Sequence, residues 1–420
     1  MSATAADATT AAAARDGAGA AAIPSRHGAD LKEGRRMARS VGLLIRGNAE
    51  PTTAEWQALG EALNHGDAVA DRMVEWMYAV GMQTAHPLFE RALNHGIASV
   101  PEAPPPLREF FDVCERRPAW LDDELLRQGA EVFQQAGMSA YYVLRDLALM
   151  GGYQAAGFNK TLILTGALKG RASRRVAETM KWTNDVTAIG GMARYADGFK
   201  STVHVRLVHA MIRRRVRGLP EWDAPAWGLP VNQADMAATY LGFSVVLLIG
   251  LRVMGMPVSR AEGHAVMHLW RYACWLMGVD ERWLREDEQG GRRLLFQLLL
   301  TQLPPDETSR QLGRALMNET LQLPYPRLRA LRVRFERARH LSVTRLFVGA
   351  RGMQALGLPR FTLPWYPLLS APFTFLWHSA HKLLPGGRAR MIRIGRQQQL
   401  EILQLHFGML TPEVVALQAV

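Results

Sequence analysis

Arg174-Arg175-Val176-Ala177-Glu178-Thr179 and then Val205-Arg206-Leu207-Val208-His209-Ala210 read as parts of two helices, one setting an arginine and a threonine on the same side, the other burying a histidine. Val205, Val208, Ile212 and Val216 recur at i, i+3, i+7 and i+11, the spacing of a helical face turned to an apolar interior. That spacing predicts a helix over 200–217, and His209 falls inside the apolar stripe. A neutral imidazole there is either a satisfied core residue or a ligand for a metal or haem iron. Arg206, Arg213, Arg214 and Arg215 read equally as partners for anionic groups such as haem propionates and as a solvated face. Arg175 and Thr179, four residues apart, share a face of the earlier helix. A buried Arg needs an anion or carbonyl partner, and a Thr hydroxyl can donate or accept beside a ligand. Glu178 is an acid/base or ion-pair candidate, with a charged first helical turn as the plain alternative.

Outward from these segments the pattern stays helical. Good helix formers dominate and alternating β-branched runs are nearly missing. Helices are expected over 53–64, 66–80, 86–94, 122–135, 138–150, 173–187, 200–217, 233–252, 260–277, 292–302, 307–320, 326–339 and 388–406. Asp122, Ser173 and Ser259 supply N-cap chemistry. The Pro-rich break at 218–231 holds Trp222 and Trp227, large aromatics that want burial, so it reads as an ordered loop rather than a linker. The fold expected is all-α: an Ala-rich disordered tail over 1–45 and one large helical domain over 46–420.

The charge is +12, with 50 Lys/Arg against 38 Asp/Glu. The arginines read as spread along helices rather than gathered in a tail, which favours solvated faces and anion pairing over nucleic-acid binding. Cys114 and Cys274 stand far apart and form no Cys-x-x-Cys pair, which argues against thiolate metal sites and fits a reducing cytoplasm. The first 40 residues lack the apolar core of a secretory signal. The apolar run 241–251 is too short to cross a bilayer, for which about 18 residues are needed. The uncharged run 361–377 is interrupted by Pro364, Pro367 and Pro372, so it is not expected to be a straight spanning helix; it is a candidate for peripheral membrane contact. His264 and His268 share a helix face but lack the His-Glu-x-x-His pattern, and His378 and His381 are weaker still. Nucleotide-binding Gly-rich loops, a Gly-x-Ser-x-Gly elbow and Cys-x-x-Cys-His are all absent.

In the order and spacing of its motifs the chain resembles the latex clearing protein (rubber oxygenase) and MpaB-type oxygenase family. The resemblance rests on Arg175-x-x-x-Thr179, on His209 within Val205–Ala210, on Trp227-Gly228-Leu229-Pro230-Val231-Asn232-Gln233-Ala234-Asp235-Met236 with Thr239, and on Leu269-Trp270-Arg271 leading to Leu276-Met277-Gly278-Val279. It implies a globin-like helical core with non-covalent haem b, His209 as the axial iron ligand, and Arg175 and Thr179 as the haem-pocket pair. The implied activity is a haem-dependent oxygenase, with peroxidase chemistry as a variant, acting with dioxygen on a small apolar substrate. In rubber-cleaving members a lysine just before the threonine can take the distal iron position; Glu178 stands there in this chain, which makes it the third catalytic candidate. With no secretion signal, an isoprenoid or lipid is expected in place of rubber, in the cytoplasm. The alternative is a non-catalytic haem or lipid carrier; no oligomeric state is implied.

Overall fold

The computed structural model describes residues 22–166 and 172–408, and among them every regular element is a helix. At the centre, helix Asp123–Ala136 packs between helices Arg260–Leu276 and Gly387–Phe407. Two glycines permit the close approach. A Cβ at Gly129 would stand 2.4 Å from the Ala265 carbonyl, and one at Gly395 would stand 1.9 Å from the Gln134 carbonyl. The starts of two of these helices follow the sequence: the Asp122 carboxylate accepts from the backbone of Glu124 and Leu125, and Ser259 forms a capping box with Glu262. Trp270, fully buried, packs against Phe243, Trp182 and Phe133 to form the aromatic centre of the core.

Several expectations are corrected. The 1–45 segment is not all tail. Residues 1–21 lie outside the described residues, but Leu31–Gly42 is a helix capped by Asp30 and packed on Glu288–Leu299. Its inner face carries Gly34 and Ala38, small residues that let the backbones approach but give little hydrophobic signal. The stretch before it is anchored too, because the buried Arg26 guanidinium pairs with Asp235 at 2.8 Å. At the other end, residues 409–420 of the expected domain lie outside the described residues.

Two helices expected to be continuous contain π-helical turns, Leu144–Leu149 and Gly242–Val246, which pack on each other. In the first turn, Arg145 and Asp146 are buried and tied to two later helices. Arg145 reaches the Leu316 carbonyl at 2.7 Å and Glu319 at 3.2 Å, and His340 lies 2.6 Å from Asp146. His406 completes the network at 3.2 Å from Glu319. The 361–377 run, expected to be broken by proline, lies largely within helix Trp365–Leu383. Pro367 occupies the first turn, where the amide has no intrahelical acceptor, and Pro372 is carried inside the helix. Among the described residues one helical run, Gln233–Val253, is long and apolar enough to cross a membrane, and 56% of its apolar window is buried inside the protein. The 218–231 loop is ordered, with Trp222 packed on Trp227 and donating to the Gly228 carbonyl at 2.9 Å.

Gly129→Ala and Gly395→Ala should each lower stability by about 1–3 kcal/mol, because an added methyl meets a backbone carbonyl that cannot move aside. Urea-unfolding midpoints measure this, and an unchanged midpoint would contradict the close packing.

Candidate functional site

Helices Ala172–Val186 and Asp197–Arg217 pack side by side, and the Trp182 indole donates to the Thr202 hydroxyl at 3.0 Å. Arg175 lies seven residues before Trp182, and His209 seven residues after Thr202. Seven residues is close to two helical turns, so this antiparallel register sets Arg175 opposite His209. The electrostatics agree, since Arg175 is close enough to disfavour a proton on His209.

His209 lies in a different environment from the one its apolar neighbours suggest. It shares a stripe with Arg206 and Arg213, at i−3 and i+4, and both arginines are buried. Arg206 is gripped by Asp67 through two N–H bonds at 2.6 and 3.0 Å and also reaches the Leu276 carbonyl. Arg213 donates to Asp71 at 3.0 Å, while its Nε and Nη2 have no partner. Arg214 is taken up on the surface by Glu75. Burial, reinforced by Arg213 and Arg175 against the opposing pull of Asp67, pushes the His209 pKa down to about 4. The imidazole is therefore neutral at ordinary pH, and its Nδ1 has no hydrogen-bond partner. The residue is enclosed yet keeps some accessible surface.

Arg175 is also under-partnered. Its pKa is lowered by burial, and among the described residues its side chain makes a single, long hydrogen bond of 3.4 Å, to the Thr165 hydroxyl. Thr179 lines a cavity of about 750 Å³ together with Val176, Met180 and Thr183 from the same helix. Both π-helical turns form part of the wall, through residues such as Leu147 and Phe243, as do Thr239 and the Met37–Val41 side of the N-terminal helix. The lining is mainly apolar, and its size falls within the ordinary range for small-molecule sites. Arg175, Glu178 and His209 are not on this wall. Glu178 turns instead to Arg174, whose Nε lies 2.9 Å from its carboxylate.

The other histidine candidates are occupied or isolated. His268 Nε2 accepts from the Asp122 amide at 3.0 Å, so it helps cap a helix. His381 Nδ1 lies 2.9 Å from the Trp377 carbonyl, and burial pushes the neighbouring His378 down to about 4. A cluster missed from the sequence joins His86 and Glu90 to His204, with Nε2 to carboxylate distances of 3.5 and 3.0 Å. The His204 hydrogen bond is the main cause of the lowered Glu90 pKa. Arg213 read equally as an anion partner and as part of a solvated face, and its burial decides for the first; the π-turn residues were missed, the one local hint of the first turn being Arg145-Asp146 inside an apolar helix.

The sequence model for the catalytic domain of the ER-bound oxygenase mpaB/B′/rubber oxygenase family matches residues 134–378, a span that contains Arg175, Glu178, Thr179 and His209. The rubber oxygenase of Streptomyces sp. (strain K30) is 25% identical over 185 residues, which cover 43% of this chain and 45% of that protein. The match therefore spans less than half of that relative's length. A solved structure of latex clearing protein in the closed state superposes with a TM-score of 0.56 at 19% identity, covering 81% of this chain and 91% of that one. It shares the fold.

A histidine whose folded pKa is depressed keeps the protein stable above its ordinary value of 6.5 and loses that contribution as the pH falls toward about 4. In the cofactor-free protein, unfolding free energy should decline through this window, and His209→Leu should remove about one proton's worth of slope, about 1.4 kcal/mol per pH unit. Chemical unfolding followed from pH 7 to pH 4 tests this; an unchanged slope would mean that His209 is not held neutral in the fold.

Proposed function

The chain belongs to the MpaB and rubber oxygenase catalytic-domain family, and on that premise we propose that it is a haem b-dependent oxygenase that uses dioxygen to oxidise or cleave an apolar, isoprenoid- or lipid-like substrate. The observation that carries this reading is His209: an enclosed imidazole, held neutral, with a buried ring nitrogen that has no partner. Such a nitrogen is costly in a core unless a ligand claims its neighbourhood.

The residues present fit a haem. His209 would hold the iron, since a neutral imidazole is the form that can donate a lone pair. Arg175 and the open side of Arg213 offer buried N–H donors for the haem carboxylates, where a charge-assisted bond is strongest. When bound, haem supplies the binding and activation of dioxygen. The chain's own residues set the surroundings. Thr179 places a hydroxyl at the wall of the largely apolar cavity, where it can orient a polar group of the bound reactants. Val176, Met180 and Phe243 exclude water and favour an apolar substrate. Glu178 is paired with Arg174, whereas Arg175 faces His209 and Thr179 lines the cavity, so Thr179 and Arg175 are the better candidates to act beside the haem. Cytoplasmic residence belongs to the same proposal, supported by two buried free thiols, Cys114 and Cys274, whose pKa values burial raises.

Protein purified after haem-supplemented expression should show a Soret band, and His209→Ala should lose it while retaining its helical circular dichroism. Thr179→Val should keep the band but lower oxygen consumption with unsaturated isoprenoids or lipids by about tenfold or more. A colourless wild-type protein would sink the proposal. A haem-loaded protein that consumes no oxygen across such a substrate panel would instead be a carrier.

A further inference from the structure

The positive charge of this chain is not spread evenly. Residues 321–408 hold 14 Lys/Arg and 2 Asp/Glu, a net +12, while the rest of the chain holds 36 of each and is neutral overall. The whole excess therefore sits on the two long helices Arg329–Ala355 and Trp365–Leu383, the segments flanking them, and the final helix Gly387–Phe407.

Much of the exposed apolar surface lies in the same place. Helix Trp365–Leu383 turns Pro367, His378 and His381 inward. Its Ala371 backbone packs against Gly255, where a Cβ would stand 2.1 Å from the carbonyl. Leu368, Leu369, Phe373 and Leu376 face outward, between 62 and 73% exposed. Their i, i+1, i+5, i+8 spacing makes one continuous face on the side away from the core. Phe361 and Leu363 extend it before the helix, at 81 and 72% exposed, and Leu383 extends it at the end, at 85%. Phe335 touches Trp365 with ring centroids 5.9 Å apart, which joins the patch to exposed Leu328 and Leu331 on the neighbouring helix. Exposed Arg327, Arg329, Arg332 and Arg334 alternate with those leucines, and Arg360 stacks over Phe361. Few carboxylates are at hand to neutralise this rim. Glu336 lies by Arg339, while Lys382 and Arg388 reach Glu262 and Glu131 from outside the segment.

We propose that this face docks on an anionic lipid bilayer, with the outer side of helix Trp365–Leu383 and the Phe361 loop entering the headgroup boundary and the arginines contacting lipid phosphates. A large apolar face ringed by basic side chains has the composition of an interfacial helix lying in the membrane plane. Charge decides against a second copy of the chain, because two such faces would bring two excesses of +12 together. The proposal stands apart from the haem reading: it concerns where the protein sits and holds for a carrier as well as for an oxygenase.

The test is co-sedimentation of the full chain with phosphatidylcholine vesicles, with and without phosphatidylglycerol, alongside sedimentation velocity without lipid. Wild-type protein should pellet with the anionic vesicles and be released by added salt. Phe373→Ser with Leu376→Ser should weaken binding by about tenfold or more, since two apolar anchors are lost. Arg332→Glu with Arg334→Glu should weaken it similarly, and only for anionic lipid. All four side chains are exposed, so the variants should keep the wild-type unfolding midpoint. The proposal is overturned by failure to pellet with anionic vesicles, by equal binding of the wild type and the Phe373/Leu376 variant, or by a wild-type dimer that this variant dissociates.

Discussion

The buried pair between Asp67 and Arg206 fixes the helix on which the site depends. The Asp67 carboxylate accepts two N–H bonds from the guanidinium and also caps helix Ala68–Val80 through the Ala70 amide. Arg206 reaches on to the end of helix Arg260–Leu276 through the Leu276 carbonyl. One ion pair thus sets the rotation of the Asp197–Arg217 helix against two others. A buried pair is weak evidence of net stability, because desolvation offsets most of the attraction, but losing either partner strands a charge at a cost of about 3–5 kcal/mol. With Arg206 locked, the next residue along that stripe, His209, can only point inward. Its neutrality follows from this enforced burial.

The cavity beside this helix pair depends on a second departure from regularity. In a π turn the helix takes an extra residue and shifts the side chains that follow. Two such turns, Leu144–Leu149 and Gly242–Val246, meet at the cavity and build part of its wall. The first is tied down by Arg145 and Asp146, whose hydrogen bonds run to Leu316, Glu319 and His340. A largely apolar chamber is therefore bordered by a buried polar network that reaches its wall at Arg145. That arrangement suits a rigid pocket for an apolar molecule, because collapse of the wall would break buried charge contacts.

The molecule is also asymmetric. Its candidate chemistry lies in a charge-balanced body, while its basic excess and many of its exposed leucines and phenylalanines lie on the C-terminal helices. The two regions are in contact, because Leu346, Phe347 and Val348 of helix Arg329–Ala355 line the cavity. Gly349 follows them with φ 68 and ψ −178, a conformation open to glycine and a break in the helix at the chamber wall.

The sequence by itself determined the all-helical class, most of the helix positions, several of their caps, and the family, because these rest on local periodicity and on motifs in fixed order. It also singled out His209, Arg175 and Thr179. It could not say what surrounded them. His209 read as lying in an apolar stripe, yet its file is Arg206 and Arg213; partners far off in the sequence, Asp67 and Asp71, allow those arginines to be buried. Glu178 had the right position in the motif, but the fold turns it to Arg174. The helix Leu31–Gly42 was hidden because it packs through glycine and alanine, whose burial leaves little hydrophobic pattern. The charge total was plain in the composition, and its concentration can be counted along the chain. Only the packing of Trp365–Leu383 decided that the apolar residues among those arginines face outward, because periodicity marks a face but not which side the rest of the protein covers.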